Sequence, residues 1–273
     1  MSVTQNEKAG RFRALHEGPG TFVIPNPWDV GSARLLAGMG FQALATSSAA
    51  SATALGRRDG GLTREEALAH ARSIVEATDL PVSADLEKGF GDAPETVAET
   101  VRLAAEAGLV GCTIEDSTGK AERPLYDFAF AVERIAAAVE AAHALPFPFV
   151  LTARAHNLLY GVPGLDETIK RLKAFEKAGA DVLFAPGLPD IAAVRAVCAA
   201  VTKPVNFMVG IKGKSFSAAE LSAAGVKRIS LATSLYRAAM TGLLDAAREV
   251  TGGRFGFVDE CATTAELQKL MGI

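Results

Sequence analysis

Eight short apolar runs alternate with longer alanine-rich stretches along the chain, and this alternation constrains the fold most. The runs begin at Thr21 (TFVIP), Ala43 (ALAT), Val82 (VSAD), Gly111 (GCTIE), Phe149 (FVLTAR), Val182 (VLFAP), Pro204 (PVNFM) and Arg228 (RISLA). Each is too short to be a buried helix, and helix-forming sequence follows each one. Such alternation gives parallel strands joined by crossover helices, and eight repeats fit a closed (β/α)8 barrel of the TIM type. With 273 residues, 49% of them hydrophobic, the chain can fill such a barrel.

The punctuation agrees. Thr63-Arg64-Glu65-Glu66 is a capping box opening a helix to about Thr78. Asp92 is placed to cap a helix that takes Pro94 in its first turn and ends at Ala107-Gly108. Asp166 opens a helix ending at Ala178-Gly179, and Ser217 opens one ending at Ala224-Gly225. The chain reads as one barrel domain over residues 1–273. A helical tail starts at about 252, with a weak helix near Thr263 to Met271.

Composition removes several classes of function. A net charge of -3 gives no basic footprint for nucleic acid. No run of about 18 apolar residues offers a membrane span. Met1 to Gly10 lacks the apolar segment of a secretory signal. Cys112, Cys198 and Cys261 form neither a metal motif nor a disulfide framework, which fits a reducing cytoplasm. Cys112 reads as a small hydrophobe within the fourth strand.

Barrel chemistry sits at the C-terminal ends of the strands. The second strand delivers Thr46, Ser47, Ser48 and Ser51, followed by Arg57, Arg58 and Asp59. The third gives Asp85 and Glu87, the fourth Glu115 and Asp116, the fifth Thr152, Arg154, His156 and Asn157, and the seventh Asn206. Asp85 and Glu87 share a face by strand alternation, and two carboxylates on one face repel unless a cation or proton lies between them. Oxygen ligands without a neighbouring His or Cys suit magnesium or manganese. Arg154 fits a substrate carboxylate or phosphoryl group, or else pairs with Glu115. The serines also serve as caps or turn residues, and His156 reads as a loop histidine. Gly210-Ile211-Lys212-Gly213-Lys214-Ser215 lacks the first glycine of a phosphate-binding loop, where Met208 stands, and reads as a basic turn. The strand cores hold no lysine for Schiff-base chemistry, and Lys88 lies beside the acidic pair, where its charge is stabilised.

Five motifs carry a family resemblance: Ala45-Thr46-Ser47-Ser48, Gly56-Arg57-Arg58-Asp59-Gly60, Asp85-Leu86-Glu87-Lys88-Gly89-Phe90-Gly91, Thr113-Ile114-Glu115-Asp116 and Ala153-Arg154. In this order and spacing, over about residues 26–231, the chain resembles short bacterial members of the isocitrate lyase/phosphoenolpyruvate mutase superfamily. The resemblance implies a barrel, a dimer or tetramer, and a last helix exchanged between paired subunits. It implies magnesium held directly by Asp85 and through waters by Glu87 and Glu115, and chelated by a small 2-oxo acid. Groups around Ser47, Ser48 and Ala49 would hold the substrate carboxylate. Asp59 and Arg154 would lie at the reacting end.

The chain also departs from the family. Its loop after the fourth strand reads Asp116-Ser117-Thr118-Gly119-Lys120-Ala121-Glu122-Arg123-Pro124, without the cysteine and histidine of the family's Lys-[Lys/Arg]-Cys-Gly-His lyase motif. Ser117 replaces the first lysine of the mutase loop, leaving Lys120 as the stand-in for the second. Glu87 replaces an aspartate, and Ala155-His156-Asn157 replaces the stretch holding the family's aspartate after the strand-five arginine. These residues lead to the expectation of a magnesium-dependent lyase acting on a small 2-oxo dicarboxylate, with oxaloacetate decarboxylation as the simplest case. Cleavage or rearrangement of the P–C bond of phosphonopyruvate is one alternative. A 2-oxo acid binding protein of weak activity is another.

Overall fold

A computed structural model of the chain describes residues 3–162 and 164–273. Its centre is a sheet of eight parallel strands: β1 (Phe22–Ile24), β2 (Leu44–Ala45), β3 (Val82–Asp85), β4 (Gly111–Glu115), β5 (Val150–Arg154), β6 (Val182–Phe184), β7 (Val205–Met208) and β8 (Arg228–Ser230). From β2 to β8 each strand pairs with its neighbour in sequence, and β8 returns to pair with β1. Between β1 and β2 the ring is completed by single bonds rather than a ladder. The Ala45 N–H donates to the Pro25 carbonyl at 3.0 Å, and Asn26 Nδ2 donates to the Thr46 carbonyl at 3.0 Å. Asn26 Oδ1 accepts from the Leu231 N–H, so one buried side chain ties the ends of β1, β2 and β8 together. The eight runs read from sequence are these eight strands.

The surrounding helices are α1 (Gln5–Glu17), α2 (Val30–Gly38), α3 (Ser48–Ala54), α4 (Arg64–Ala77), α5 (Pro94–Glu106), α6 (Phe128–His143), α7 (Leu165–Lys177), α8 (Ile191–Ala200), α9 (Ala218–Ala223), α10 (Ser234–Thr251) and α11 (Thr264–Met271). Their apolar stripes bury Ile74, Val101, Ile135, Leu172 and Val197 against the sheet, making one continuous core. Thr63 and Ser217 close capping boxes on α4 and α9 as their sequences require. α11 packs on α2 of its own chain, close enough that a Cβ on Gly38 would lie 1.8 Å from the Leu270 carbonyl oxygen.

Two readings of the punctuation are corrected. Asp92 does not cap α5. The N-cap is Ala93, and Asp92 instead receives bonds from Lys88 and Tyr126. The Lys88 ammonium, four residues earlier in the chain, and the Tyr126 hydroxyl engage the carboxylate that would have capped the helix. α7 is entered from Gly164, with Asp166 inside its first turn.

α1 had no counterpart among the strand–helix repeats. It buries Ala9 and Phe12 against Ile24, Ala43, Val110, Val150 and Val182, residues near the starts of the strands. It therefore plugs the N-terminal end of the barrel. There, the His16 Nδ1–H donates to the Phe12 carbonyl at 2.8 Å, leaving Nε2 to accept from Arg228 Nη1 at 3.3 Å. Arg228 also donates to Asn206 Oδ1 and Thr152 Oγ1, at 2.8 and 3.0 Å. Burial and the adjacent Arg228 charge push the His16 imidazole down to about 3.

This arrangement fixes a sign. A histidine lowered from its ordinary value of 6.5 to about 3 takes up a proton more readily when unfolded. Its contribution to stability is complete above pH 6.5 and is lost as the pH falls toward 3. Denaturant midpoints for wild type and His16→Gln, measured between pH 7 and 4, should converge on acidification. The variant should lack a pH-dependent term on the order of a few kcal/mol.

Candidate functional site

β3 positions the first acid. The register pairs Asp85 with Thr113 on β4, and Glu115 with Arg154 on β5, so acid and base arise at one level of the barrel. Arg154 Nη1 donates to Asp85 Oδ1 at 2.7 Å and lies 3.4 Å from Glu115 Oε2. Its guanidinium stacks on the Phe184 ring at 4.9 Å. Of the two sequence readings of Arg154, the structure shows the pairing with the acids. It bonds to the acids, and it also lines the open cavity above them.

Glu87 reaches that cavity by an unexpected route. The strand ends at Asp85, Leu86 turns into the core, and Glu87 adopts a left-handed backbone with φ 51°. Simple alternation gives the right face for Glu87, but the chain has already left the sheet. Its N–H donates to Asp85 Oδ1 at 3.2 Å, and its carbonyl accepts from the Glu115 N–H at 3.0 Å. Gly89 follows at φ 85°, where a Cβ would meet Val97 at 3.1 Å, so only glycine fits this turn. From below, the buried Arg134 donates to the carbonyls of Lys88, Gly91 and Asp92 and fixes the loop.

The cavity at the C-terminal end measures about 710 Å³. Asp85, Glu87 and Glu115 line its floor, and Arg154 sits between them. Ser47, Ser48 and Ala49 form one wall at the start of α3. The Ser48 hydroxyl donates to Asp85 Oδ2 at 3.2 Å, whereas Ser47 is the N-cap of α3. Asp59 stands on the rim and Lys120 on the loop after β4. That loop is a hydrogen-bonded hairpin: Ser117 bridges to Leu125, and the Thr118 N–H donates to the Pro124 carbonyl at 2.9 Å. Asn206 lies deeper. Its Oδ1 accepts from Arg228, and its Nδ2 donates to Ser230 Oγ at 3.0 Å, so its polar atoms are engaged inside the barrel. A second hollow of about 630 Å³ at the N-terminal end, around His143 and Asp181, has no comparable group of acids.

The electrostatics of the floor are strained. Burial, then the charges of Asp85, Asp59 and Glu115, push the Glu87 carboxyl up to about 7. Burial also raises Glu115 against the pull of Arg154. Burial would raise Asp85 too, but Arg154 and the Glu87 N–H outweigh it and hold that carboxyl below its ordinary value. Asp59 is raised by desolvation and by Asp85. Four acids thus share one guanidinium, and negative charge remains uncompensated.

This surplus and the hard oxygen donors fit a divalent cation. Among the described residues, no three His, Cys, Asp or Glu side chains are already grouped as a chelating set.

His156 lies on the loop after β5, as the sequence reading has it, but its contact was not foreseen: it is buried, and its Nε2 lies 3.1 Å from Glu115 Oε2 without hydrogen-bond alignment. Burial and Arg154 hold it well below the usual imidazole value, hence neutral. Ser117 was also undervalued: its hydroxyl donates to Glu115 Oε1 at 2.5 Å. The His156 contact depends on the pairing of β4 with β5, whereas Ser117 reaches Glu115 from two residues further along the same chain segment.

Removing Arg154 would leave two buried acids without their counter-charge. Arg154→Met should lower stability by about 3–5 kcal/mol, measured by chemical denaturation at neutral pH. Loss of less than about 1 kcal/mol would show that the acids are already neutralised by protons.

The site can be compared with known proteins. The family model for phosphoenolpyruvate phosphomutase matches residues 12–251. A 2-methylisocitrate lyase from Escherichia coli (strain K12) is 32% identical, with 87% of this chain and 82% of the relative covered. An oxaloacetate decarboxylase from Ectopseudomonas mendocina (strain ymp) is 30% identical, with coverage of 92% and 87%. A crystal structure from Burkholderia cenocepacia J2315, provisionally described as a lyase/mutase, superposes with a TM-score of 0.96 at 53% identity, over 98% of this chain and 97% of the other. With its barrel, its five motifs and these matches, the chain belongs to the isocitrate lyase/phosphoenolpyruvate mutase superfamily.

Proposed function

We propose that the protein is a magnesium-dependent lyase that breaks a C–C bond of a small 2-oxo dicarboxylate, with oxaloacetate decarboxylation as its simplest reaction. The observation that carries this reading is the pairing of the acid cluster around Arg154 with a loop, Ser117–Pro124, that holds no cysteine or histidine acid. Decarboxylation needs an electron sink beside the 2-oxo group and no acid on the departing fragment. The likeness to an oxaloacetate decarboxylase supports the same reaction class.

Asp85, Glu87 and Glu115 would hold the cation, with manganese as a substitute. When bound, the cation withdraws electrons from the 2-oxo group and offsets the negative charge that builds on it. Ser47, Ser48 and Ala49 would hold the 1-carboxylate. Arg154 orients Asp85 and faces the reacting end. Asp59 borders that end from the rim, and Lys120 covers it from the hairpin. The hairpin would exclude water as it closes over bound substrate.

The reading extends to assembly. α10 buries none of its residues, and Leu243 and Leu244 stand exposed on it, so a homo-oligomer, dimer or tetramer, would cover an apolar face. Light scattering on the purified chain should give a mass of two or four subunits.

The deciding experiment follows pyruvate release from oxaloacetate, phosphonopyruvate and methylisocitrate, with and without chelator. Release from oxaloacetate alone, abolished by chelation and lowered roughly 100-fold or more in Asp85→Ala, is the expected result. Phosphate and pyruvate from phosphonopyruvate instead would assign P–C chemistry. Saturable 2-oxo acid binding without any turnover would assign a binding protein. Undiminished metal-dependent turnover in Asp85→Ala would overturn the metal assignment.

A further inference from the structure

Breaking the C3–C4 bond of oxaloacetate leaves an enolate that needs a proton at C3, and the loop acid of the family's lyases is missing. The cavity contains several proton-bearing groups, and most are committed. Lys88 Nζ donates to Asp92 at 2.7 Å and to the Thr118 carbonyl at 3.2 Å. The Ser117 hydroxyl donates to Glu115. Arg154 is held by Asp85 and Glu115. His156 is buried against Glu115.

Tyr160 differs from these. It lines the same cavity as Asp85, Glu115 and Arg154, and 46% of it is exposed. Its ring packs 5.8 Å from that of His156. It is firmly placed although it sits on a loop. The Tyr160 N–H donates to the His156 carbonyl at 3.2 Å. The fully buried Asn157 anchors the loop base, donating to the Gly164 carbonyl and accepting from Thr168 Oγ1 at 2.9 Å. The phenol lines the space over the acids from this braced loop.

We propose that Tyr160 is the proton donor to the enolate carbon. The phenolic O–H bond breaks as the C3–H bond forms, and the tyrosinate regains its proton from water. Net consumption is one proton per carbon dioxide and pyruvate formed. The substrate named here rests on the decarboxylase reading, whereas the proton transfer is testable without it.

The reverse transfer exchanges the methyl protons of pyruvate. Magnesium-loaded full-length protein in D2O, followed by proton NMR, should exchange that methyl group. Tyr160→Phe keeps the ring and its packing. It should slow exchange roughly 100-fold or more while carbon dioxide release from oxaloacetate changes less than about threefold. His143→Ala, at the opposite end of the barrel, should leave exchange within about tenfold of wild type. The proposal is overturned if wild type does not exchange, if Tyr160→Phe exchanges normally, or if both readouts fall together. It is equally overturned if Lys120→Ala or Asp59→Asn removes exchange in place of Tyr160→Phe. Tyr160-dependent exchange in a protein that releases no carbon dioxide would retain the donor and remove oxaloacetate as the substrate.

Discussion

The site depends on one guanidinium placed among more acids than it can neutralise. Arg154 bonds Asp85 and approaches Glu115, and it is buried with both. Burying charges is favourable only where each is closely paired, and here the pairing is incomplete. Glu87 shows the remainder, since burial and then three other acids drive its carboxyl up to about 7. A fold seldom holds such a surplus for stability alone. The surplus is a standing affinity for positive charge at one end of the barrel. It also explains why Asp85 collects donors from Ser48, Thr113, Glu87 and Arg154 at once.

Holding that surplus requires a rigid frame. β4 and β5 supply it through continuous register from Gly111–Val150 to Glu115–Arg154. The turn after β3 supplies the rest, with Gly89 where no Cβ fits and Arg134 gripping three carbonyls from beneath. Arg134 is fully buried and its charge faces only carbonyls and the Tyr126 ring, so its role is structural although its type suggests chemistry. Asp92 belongs to the same frame. Its bonds to Lys88 and Tyr126 brace the turn, which is why it was unavailable as a helix cap.

Local sequence carried much of this. Strand positions were legible because eight apolar runs recur with helices between them, and Thr63 and Ser217 cap as their neighbours dictate. Asp85, Glu87, Glu115 and Arg154 were legible because each lies at a strand end, where barrels keep their chemistry. What failed was information that pairing creates. His156 meets Glu115 only because two strands lie side by side, and nothing within five residues of either predicts that contact. α1 was invisible for a related reason. It belongs to no repeat, and its apolar face is only Ala9 and Phe12, too sparse for a clear period.

The barrel axis joins these two ends. Arg228, at the start of β8, is buried with Asn206, Thr152 and His16 as partners and without a carboxylate among the described residues. Burial and the Arg154 charge lower it to about 9, so it stays protonated near neutrality. Between the two arginines lies a void of about 60 Å³ walled partly by Ser83, Asn206 and Asp85. TIM-barrel interiors are ordinarily stacked layers of branched apolar side chains. Here the middle layers are polar, and a second positive charge lies beneath the acids. Its field reaches them through a low-dielectric interior, where charges act over longer distances than in water. Arg228 feels the charge of Arg154 and lies outside the floor where Asp85, Glu87 and Glu115 meet. Asn206 completes the arrangement by fixing Arg228 and Ser230, a role its strand-end position alone could not distinguish from substrate contact.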